Sequence, residues 1–145
     1  MILSEKQLGI TRREKEKLEQ ALASLRASND AGNSVRQAEI DALEAQIEEM
    51  ETLMSEYVQL KRGGIVAGKF RSFDDFSTAL VQARIVSGMS QTDLGAALGV
   101  KPQQIQRYES TRYMGASLAR LMEVARILKL KVVTEYKLSW FRRWR

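Results

Sequence analysis

The apolar positions of the first sixty residues recur at steps of three and four, which predicts two helices with one narrow apolar stripe each. The spacing of Thr11 with Glu14, and of Ser34 with Gln37, matches the capping box and predicts where these helices begin. Turn-forming residues over 27–33 separate them, so an antiparallel hairpin is the simplest arrangement. The second stripe also allows a homodimeric coiled coil or a groove for a partner. The stripe residues are Leu18, Ala21, Leu22 and Leu25, followed by Ile40, Leu43, Ile47, Met50, Met54 and Tyr57.

A glycine-rich stretch follows, and then a second set of helix signals. Three glycines between residues 63 and 68 predict a hinge over 63–71. Serines at positions 72, 90 and 117 then predict three helix starts, and glycines at 88 and 99 predict helix ends. Proline at position 102 suits the first turn of a further helix. The first of these helices is expected to place five apolar residues in a core, namely Phe73, Phe76, Leu80, Ala83 and Ile85.

The C-terminal residues follow a different period. Apolar and polar residues alternate from Leu130 to Leu138, which predicts one β-strand. Because a lone strand needs a partner, the simplest prediction is antiparallel pairing with a second copy through Val132, Tyr136 and Leu138. Two explanations fit the basic aromatic tail at 139–145. Either Trp140 and Phe141 cover core next to the strand while the arginines are solvated, or the tail contacts nucleic acid or a membrane interface.

The chemistry available to this chain is limited. Its 145 residues include no cysteine and no histidine, which excludes disulfides, thiol nucleophiles, Ser-His-Asp triads and zinc sites built on sulfur or imidazole. We therefore expect neither an enzyme nor a cofactor. Asp74 and Asp75 resemble metal ligands only superficially, since acids in a first helical turn are stabilised by the helix dipole. No apolar stretch approaches the roughly 18 residues of a membrane span and no secretory signal is evident, so we expect a cytoplasmic protein with no membrane partner.

The net charge of +5 conceals an uneven distribution. Residues 1–60 contain seven Lys/Arg and twelve Asp/Glu, for a net charge of −5. Residues 61–145 contain sixteen and six, for a net charge of +10. The basic part is expected to face a polyanion, whereas the acidic part is expected to repel DNA and to serve another partner.

The stretch QTDLGAALGVKPQQIQRYE, at 91–109, is the most informative in the chain. Read as two helices that meet at a tight turn, it places a small Gly95 where the helices cross and Gly99 where the turn needs positive φ. The core between the helices would be formed by Leu94, Leu98, Val100, Ile105 and Tyr108. The second helix then presents glutamines and Arg107 outward. Glutamine pairs bidentately with adenine and arginine with guanine in the major groove.

This motif resembles the helix-turn-helix of phage Cro and repressor proteins, the XRE family, over roughly residues 73–130. The resemblance implies that Gln103, Gln104 and Arg107 read bases in double-stranded operator DNA. It implies phosphate contacts for a second set, Ser90, Gln91, Lys101, Arg112 and Tyr113. It also implies a structural ion pair between Arg84 and Glu109. Two residues depart from the family pattern: Pro102 removes a possible base contact, and Gly95 replaces a usual alanine.

The predicted fold is mainly α, with a hairpin at 1–62, the hinge, and a Cro/repressor-type domain of four to five helices at 72–129. The strand and tail follow at 130–145. This layout is similar to that of HigA-like antitoxins, which implies a homodimeric repressor that neutralises a cognate toxin, either a HigB-like ribonuclease or an ImmA/IrrE-domain protein. Two alternatives remain open, a protein-binding adaptor that does not use its motif on DNA and a phage-type regulator with no toxin partner.

Overall fold

A computed structural model describes residues 1–27, 34–63 and 72–133. These residues form six α-helices: α1 (Glu5–Ala27), α2 (Ser34–Lys61), α3 (Phe73–Val86), α4 (Gln91–Leu98), α5 (Pro102–Ser110) and α6 (Leu118–Ile127). Apart from Gly63, the predicted hinge lies outside the described residues. Within the described ranges, no helix combines the length and apolar character that crossing a bilayer requires.

Helices α1 and α2 form an antiparallel pair. Cross-helix ion pairs show the direction, because Lys15 pairs with Glu51 while Arg26, farther along α1, pairs with the earlier Glu44. Leu22, five residues before the end of α1, is buried. Most of the α2 stripe is only half-buried, since two helices alone cannot enclose it: Ile40, Leu43, Ile47, Met50 and Met54.

Helix α1 begins six residues before the predicted start, so that prediction is wrong. The Ser4 hydroxyl accepts a hydrogen bond from the Gln7 backbone N–H at 3.3 Å, and the Gln7 side chain accepts one from the Leu3 N–H at 2.9 Å. These bonds satisfy donors that the first helical turn leaves free. Thr11 instead lies inside the helix, where its hydroxyl donates to the Gln7 carbonyl at 3.1 Å. In α2, the Gln37 side chain donates to Asp41 rather than completing a cap.

Helices α3 to α6 form the second part, and three serines start three of them as predicted. Ser72 accepts from the N–H of Asp75, Ser90 from that of Asp93, and Ser117 from that of Arg120. The prediction that Phe73 is a core residue is wrong, because this first residue of α3 is 73% exposed. Burial increases along the helix, from half-buried Phe76 to fully buried Leu80.

The two parts share one hydrophobic core. Ile2, Leu8 and Tyr57 are buried in the same cluster as Leu80 and Val81 of α3. The open end of the hairpin, where α1 begins and α2 ends, is therefore the end that packs against α3. The Tyr57 hydroxyl donates to Glu5 at 3.4 Å, and Lys61 pairs with the same carboxylate at 3.1 Å.

The predicted C-terminal strand is only partly within the described residues. Residues 130–133 form no strand, and both Val132 and Val133 are exposed. The remaining strand positions, including Tyr136 and Leu138, and the tail at 139–145 lie outside the described residues. The strand and the dimer contact assigned to it therefore remain predictions.

Candidate nucleic-acid interface

Helix α4 begins with a complete capping box. The Ser90 hydroxyl accepts from the Asp93 N–H at 3.1 Å, and the Asp93 carboxylate accepts from the Ser90 N–H at 2.8 Å and from its hydroxyl at 2.6 Å. These bonds hold the pKa of Asp93 below its usual value. They also occupy the side-chain donor of Ser90, which the sequence assigns to a phosphate.

The turn between α4 and α5 depends on two glycines. Gly99 ends α4 with φ 67° and ψ 29°, the left-handed conformation that glycine adopts without a steric penalty. Gly95 lies where the helices approach each other. A Cβ atom at this position would come within 2.9 Å of the Val100 carbonyl oxygen and 3.5 Å of the Ile105 side chain. The departure from the usual alanine therefore has a local cause, since the backbone of the turn lies too close to α4 at this position to leave room for a methyl group.

Helix α5 has one buried face and one exposed face. Ile105 and Glu109 are buried, which fixes the helix against the domain. The opposite face presents Gln103, Gln106 and Arg107 to solvent. Gln104, which the sequence also assigns to base reading, is half-buried. The exposed face thus combines the amide and guanidinium groups that match adenine and guanine edges.

A buried ion pair holds α5 in place. The Arg84 Nε atom donates to Glu109 Oε1 at 2.5 Å, and Arg84 Nη2 donates to Oε2 at 2.8 Å. Both side chains are almost fully buried. Arg84 also donates to the carbonyls of Met89, at 2.8 Å, and Leu3, at 2.7 Å. A buried bidentate pair with its remaining donors satisfied fixes geometry more effectively than a surface pair.

The residues assigned to phosphate contacts lie in different environments. Lys101, just before α5, and Arg112, just after it, are exposed and can reach a backbone on either side of the helix. The Gln91 side chain instead donates to Glu109 Oε2 at 2.8 Å, where it completes the buried network. A phosphate contact at the start of α4 would therefore depend on backbone N–H groups rather than on these side chains.

The assignment of Tyr113 to the phosphate backbone is corrected by its burial. Its side chain is 3% exposed and its ring stacks on Tyr108, with centroids 5.7 Å apart. Burial, reinforced by the negative charge of Glu109, raises the pKa of its hydroxyl. Arg112 and Tyr113 both have positive φ, at 50° and 58°, which turns the chain sharply and directs the ring inward. Two adjacent non-glycine residues in this conformation leave no signal in the sequence.

Sequence reasoning also missed the role of the first residues. Ile2 is 2% exposed, and the Leu3 carbonyl accepts a hydrogen bond from the same Arg84 that holds α5. The only available signal was the apolar pair that precedes Ser4. Asp74 and Asp75 lie exposed in the first turn of α3. Among the described residues, no three acidic side chains come together as metal ligands would.

Comparison with known proteins gives one match, in the second part of the chain. A family model described as Helix-turn-helix matches residues 80–133, from within α3 to just beyond α6. This segment is similar to helix-turn-helix modules of the XRE type, and the similarity suggests a DNA-binding regulator. Neither a curated protein nor a solved structure gives a match. The module covers about a third of the chain, and the hairpin lies outside it.

Proposed function

We infer that this protein is a sequence-specific transcription repressor that inserts α5 into the major groove of operator DNA. The observation that carries this proposal is the outward face of α5, which exposes Gln103, Gln106 and Arg107 while its inner face is fixed by the buried Arg84–Glu109 pair. A rigid helix with exposed amide and guanidinium groups suits base recognition. The role is one of binding rather than catalysis.

The exposed residues of α5 and its ends are assigned to two kinds of DNA contact. Arg107 lies on the groove-facing side of α5 and is assigned to bases, as are Gln103 and the less exposed Gln104. Lys101 and Arg112 lie at the two ends of the helix and are assigned to phosphates. Base contacts determine sequence preference, whereas phosphate contacts add affinity for any sequence and make it depend on salt.

Binding to the protein's own promoter and to a scrambled duplex, each over a range of salt, tests this division. Arg107→Ala should lower affinity for the promoter by about 1–3 kcal/mol, with little effect on the scrambled duplex. Lys101→Ala should weaken both complexes alike and reduce the salt slope by about 1. Equal losses on both duplexes for Arg107→Ala would show that α5 does not read sequence.

A second function, neutralisation of a cognate toxin, is favoured by the surface of the hairpin. Helix α2 contains seven acidic and two basic residues. The end of the hairpin away from the core has a shallow, mostly apolar depression lined by Ala21, Leu25, Glu39, Ala42 and Leu43. Acidic groups around an apolar patch suit a basic protein surface, such as that of an enzyme acting on RNA. The proposed partner is a HigB-like ribonuclease or an ImmA/IrrE-domain protein.

This second function has to be tested in the full chain, because the hairpin shares its core with the DNA-binding module. The double variant Ala42→Arg/Glu39→Lys should no longer copurify with the product of the neighbouring open reading frame. It should also fail to restore growth to cells that express that product. Arg107→Ala is the matched control, since it should retain rescue while losing promoter binding. If the double variant still rescued growth, the hairpin would not be the toxin-binding surface. The protein would then be a DNA-binding regulator or an adaptor without that surface.

The homodimer belongs to the same proposal. Pairing through the strand at 130–138 is one arrangement. The structure offers another, since Met114, Leu118 and Met122 are all more than 60% exposed, and the latter two lie one turn apart on α6. Exposed apolar residues grouped in this way are typical of interfaces. Sedimentation of a chain truncated after Lys129, compared with full-length Met122→Lys, distinguishes the two surfaces, because only the change at the true interface yields a monomer.

A further inference from the structure

Five of the six basic residues of α1 lie on two opposite faces, and Arg12 lies between them. One face meets α2, where Lys15 pairs with Glu51 at 2.7 Å and Arg26 pairs with Glu44. These cations are occupied within the hairpin. They stabilise the helix pair and leave α2 to carry the negative charge of this part of the chain.

The other face of α1 carries a stripe of cations, which we call the α1 basic stripe: Lys6, Arg13 and Lys17. Nine residues, or about two and a half turns, separate Lys6 from Lys15, so the stripe faces away from α2. All three side chains are exposed, and within the described parts of the chain none of them forms an ion pair. The other members of this face are Ile10, Gln20 and Ser24, and Glu14 and Glu16 border it on its two sides.

The start of α1 lies beside the start of α4. Arg84 connects them, since one of its nitrogens binds the Leu3 carbonyl at 2.7 Å and another binds the Met89 carbonyl at 2.8 Å. Leu3 is two residues before α1, and Met89 immediately precedes Ser90, the N-cap of α4. In helix-turn-helix modules the first motif helix crosses the DNA backbone. The α1 basic stripe therefore begins close to the predicted path of the duplex.

We propose that the α1 basic stripe binds the phosphate backbone of the DNA that flanks the site read by α5. The proposal rests on the DNA-binding function proposed above and extends its contact surface to the hairpin. The stripe runs about 16 Å from Lys6 to Lys17, which matches the rise of about five base pairs. The contact neutralises phosphates and reads no bases.

The charge distribution explains how an acidic hairpin can lie along DNA. The negative charge belongs to α2, whereas α1 alone contains six basic and four acidic residues. Because the stripe faces away from α2, α1 lies between the acidic helix and a duplex bound to the stripe. The acidic N-terminal part thus has one face suited to a polyanion, contrary to the expectation from its net charge. Continuity with the α4 end of the module favours DNA over other polyanions.

The test compares Lys6→Gln/Arg13→Gln/Lys17→Gln with the unaltered full chain on two duplexes, one ending at the site and one with five more base pairs on each side. The unaltered protein should bind the longer duplex more tightly, and the triple variant should lose this gain. Its salt slope on the longer duplex should fall by about 3 for each bound protomer, one per phosphate contact. Its preference for the promoter sequence over a scrambled site should not change.

A matched control places the same change in net charge on α2, through Gln46→Glu/Thr52→Glu/Gln59→Glu at exposed positions. Equal losses in the two triple variants would overturn the proposal, because they would reflect net charge rather than contact. An unchanged salt slope in the stripe variant would overturn it as well. A charge-preserving variant, Lys6→Arg/Arg13→Lys/Lys17→Arg, should retain the gain. If the unaltered protein shows no sequence preference, the proposed repressor function fails instead, which is a separate outcome.

Discussion

The hairpin and the helix-turn-helix module are stabilised in different ways. The module contains all six of the largest fully buried side chains among the described residues: Leu80, Val81, Ile85, Leu94, Ile105 and Val124. The hairpin has long helices but few buried residues, and among its residues at 1–27 and 34–63 Leu22 is the one that is buried outside the shared core. Short helices that enclose a core resist local opening more than a long two-helix pair with one half-buried seam.

The helix caps and the ion pairs of the two parts differ as well. In the second part of the chain, Ser72, Ser90 and Ser117 satisfy the first turns of α3, α4 and α6, and a buried pair connects α3 to α5. In the hairpin, ion pairs on the surface connect the helices, and such pairs contribute little individually. We infer that the module is the rigid part that positions α5 and that the outer end of the hairpin opens first.

The largest expected difference concerns the ion pairs. Glu109→Gln leaves the Arg84 guanidinium buried without its counter-charge, so the free energy of unfolding should fall by about 3–5 kcal/mol. Glu44→Gln in the hairpin breaks the exposed pair with Arg26 and should cost less than about 1 kcal/mol. Urea unfolding of the two full-length variants measures both changes. Similar losses would mean that the buried pair adds no more than a surface pair.

Side-chain truncation should give the next largest contrast. Leu80→Ala removes a fully buried side chain from the shared core and should cost about 2–5 kcal/mol. Met50→Ala shortens a half-buried seam residue of α2 and should cost clearly less. Hydrogen exchange on the unaltered chain provides an independent check, because amides around Met50 should exchange faster than those around Leu80. Equal protection would contradict the proposed difference in rigidity.

The same contrast explains which features the sequence predicted. Caps at Ser72, Ser90 and Ser117 and the turn at Gly99 depend on neighbouring residues, so their spacing was sufficient to find them. The start of α1 was missed because Ser4 and Thr11 offer similar capping spacing, and the contact that favours the earlier start involves the distant Arg84.

The positions of the residues in the candidate interface were predictable to a similar extent. The exposure of Arg107 and the burial of Ile105 follow from helical periodicity along α5. Tyr113 and Gln91 were assigned to phosphates because the resemblance fixes position along the chain but not side-chain direction. Tyr113 turns inward on a left-handed backbone, and Gln91 joins a network whose other members lie on α3 and α5.

Two glycines in helices provide a smaller contrast with opposite signs. Gly9→Ala in α1 adds a methyl group with nothing within 4 Å, so the higher helix propensity of alanine should stabilise the chain by about 0.5–1 kcal/mol. Gly95→Ala adds the same group 2.9 Å from the Val100 carbonyl oxygen, and the steric cost of about 1–3 kcal/mol should outweigh that gain. Thermal unfolding of both variants checks the signs. A stabilised Gly95→Ala chain would show that the turn relaxes easily.

The smallest contrast concerns pH. Acid should destabilise the part that contains Asp93, and alkali should destabilise the hairpin that contains Lys15. The pKa of Asp93 lies below its unfolded value of 3.8 because Ser90 donates to the carboxylate, so this stabilisation is present above that pH and is lost as pH falls through the folded pKa. The pKa of Lys15 lies above 10.5 because its ammonium group donates hydrogen bonds to Glu19 and Glu51. This stabilisation is present below pH 10.5 and is lost as pH rises through the folded pKa. Asp93→Asn should therefore reduce the loss of stability in acid, and Lys15→Gln should reduce the loss in alkali. Unfolding midpoints measured in acid and in alkali test the assignment. If Asp93→Asn changed only the alkaline midpoint, or Lys15→Gln only the acidic one, the assignment of these groups would be wrong.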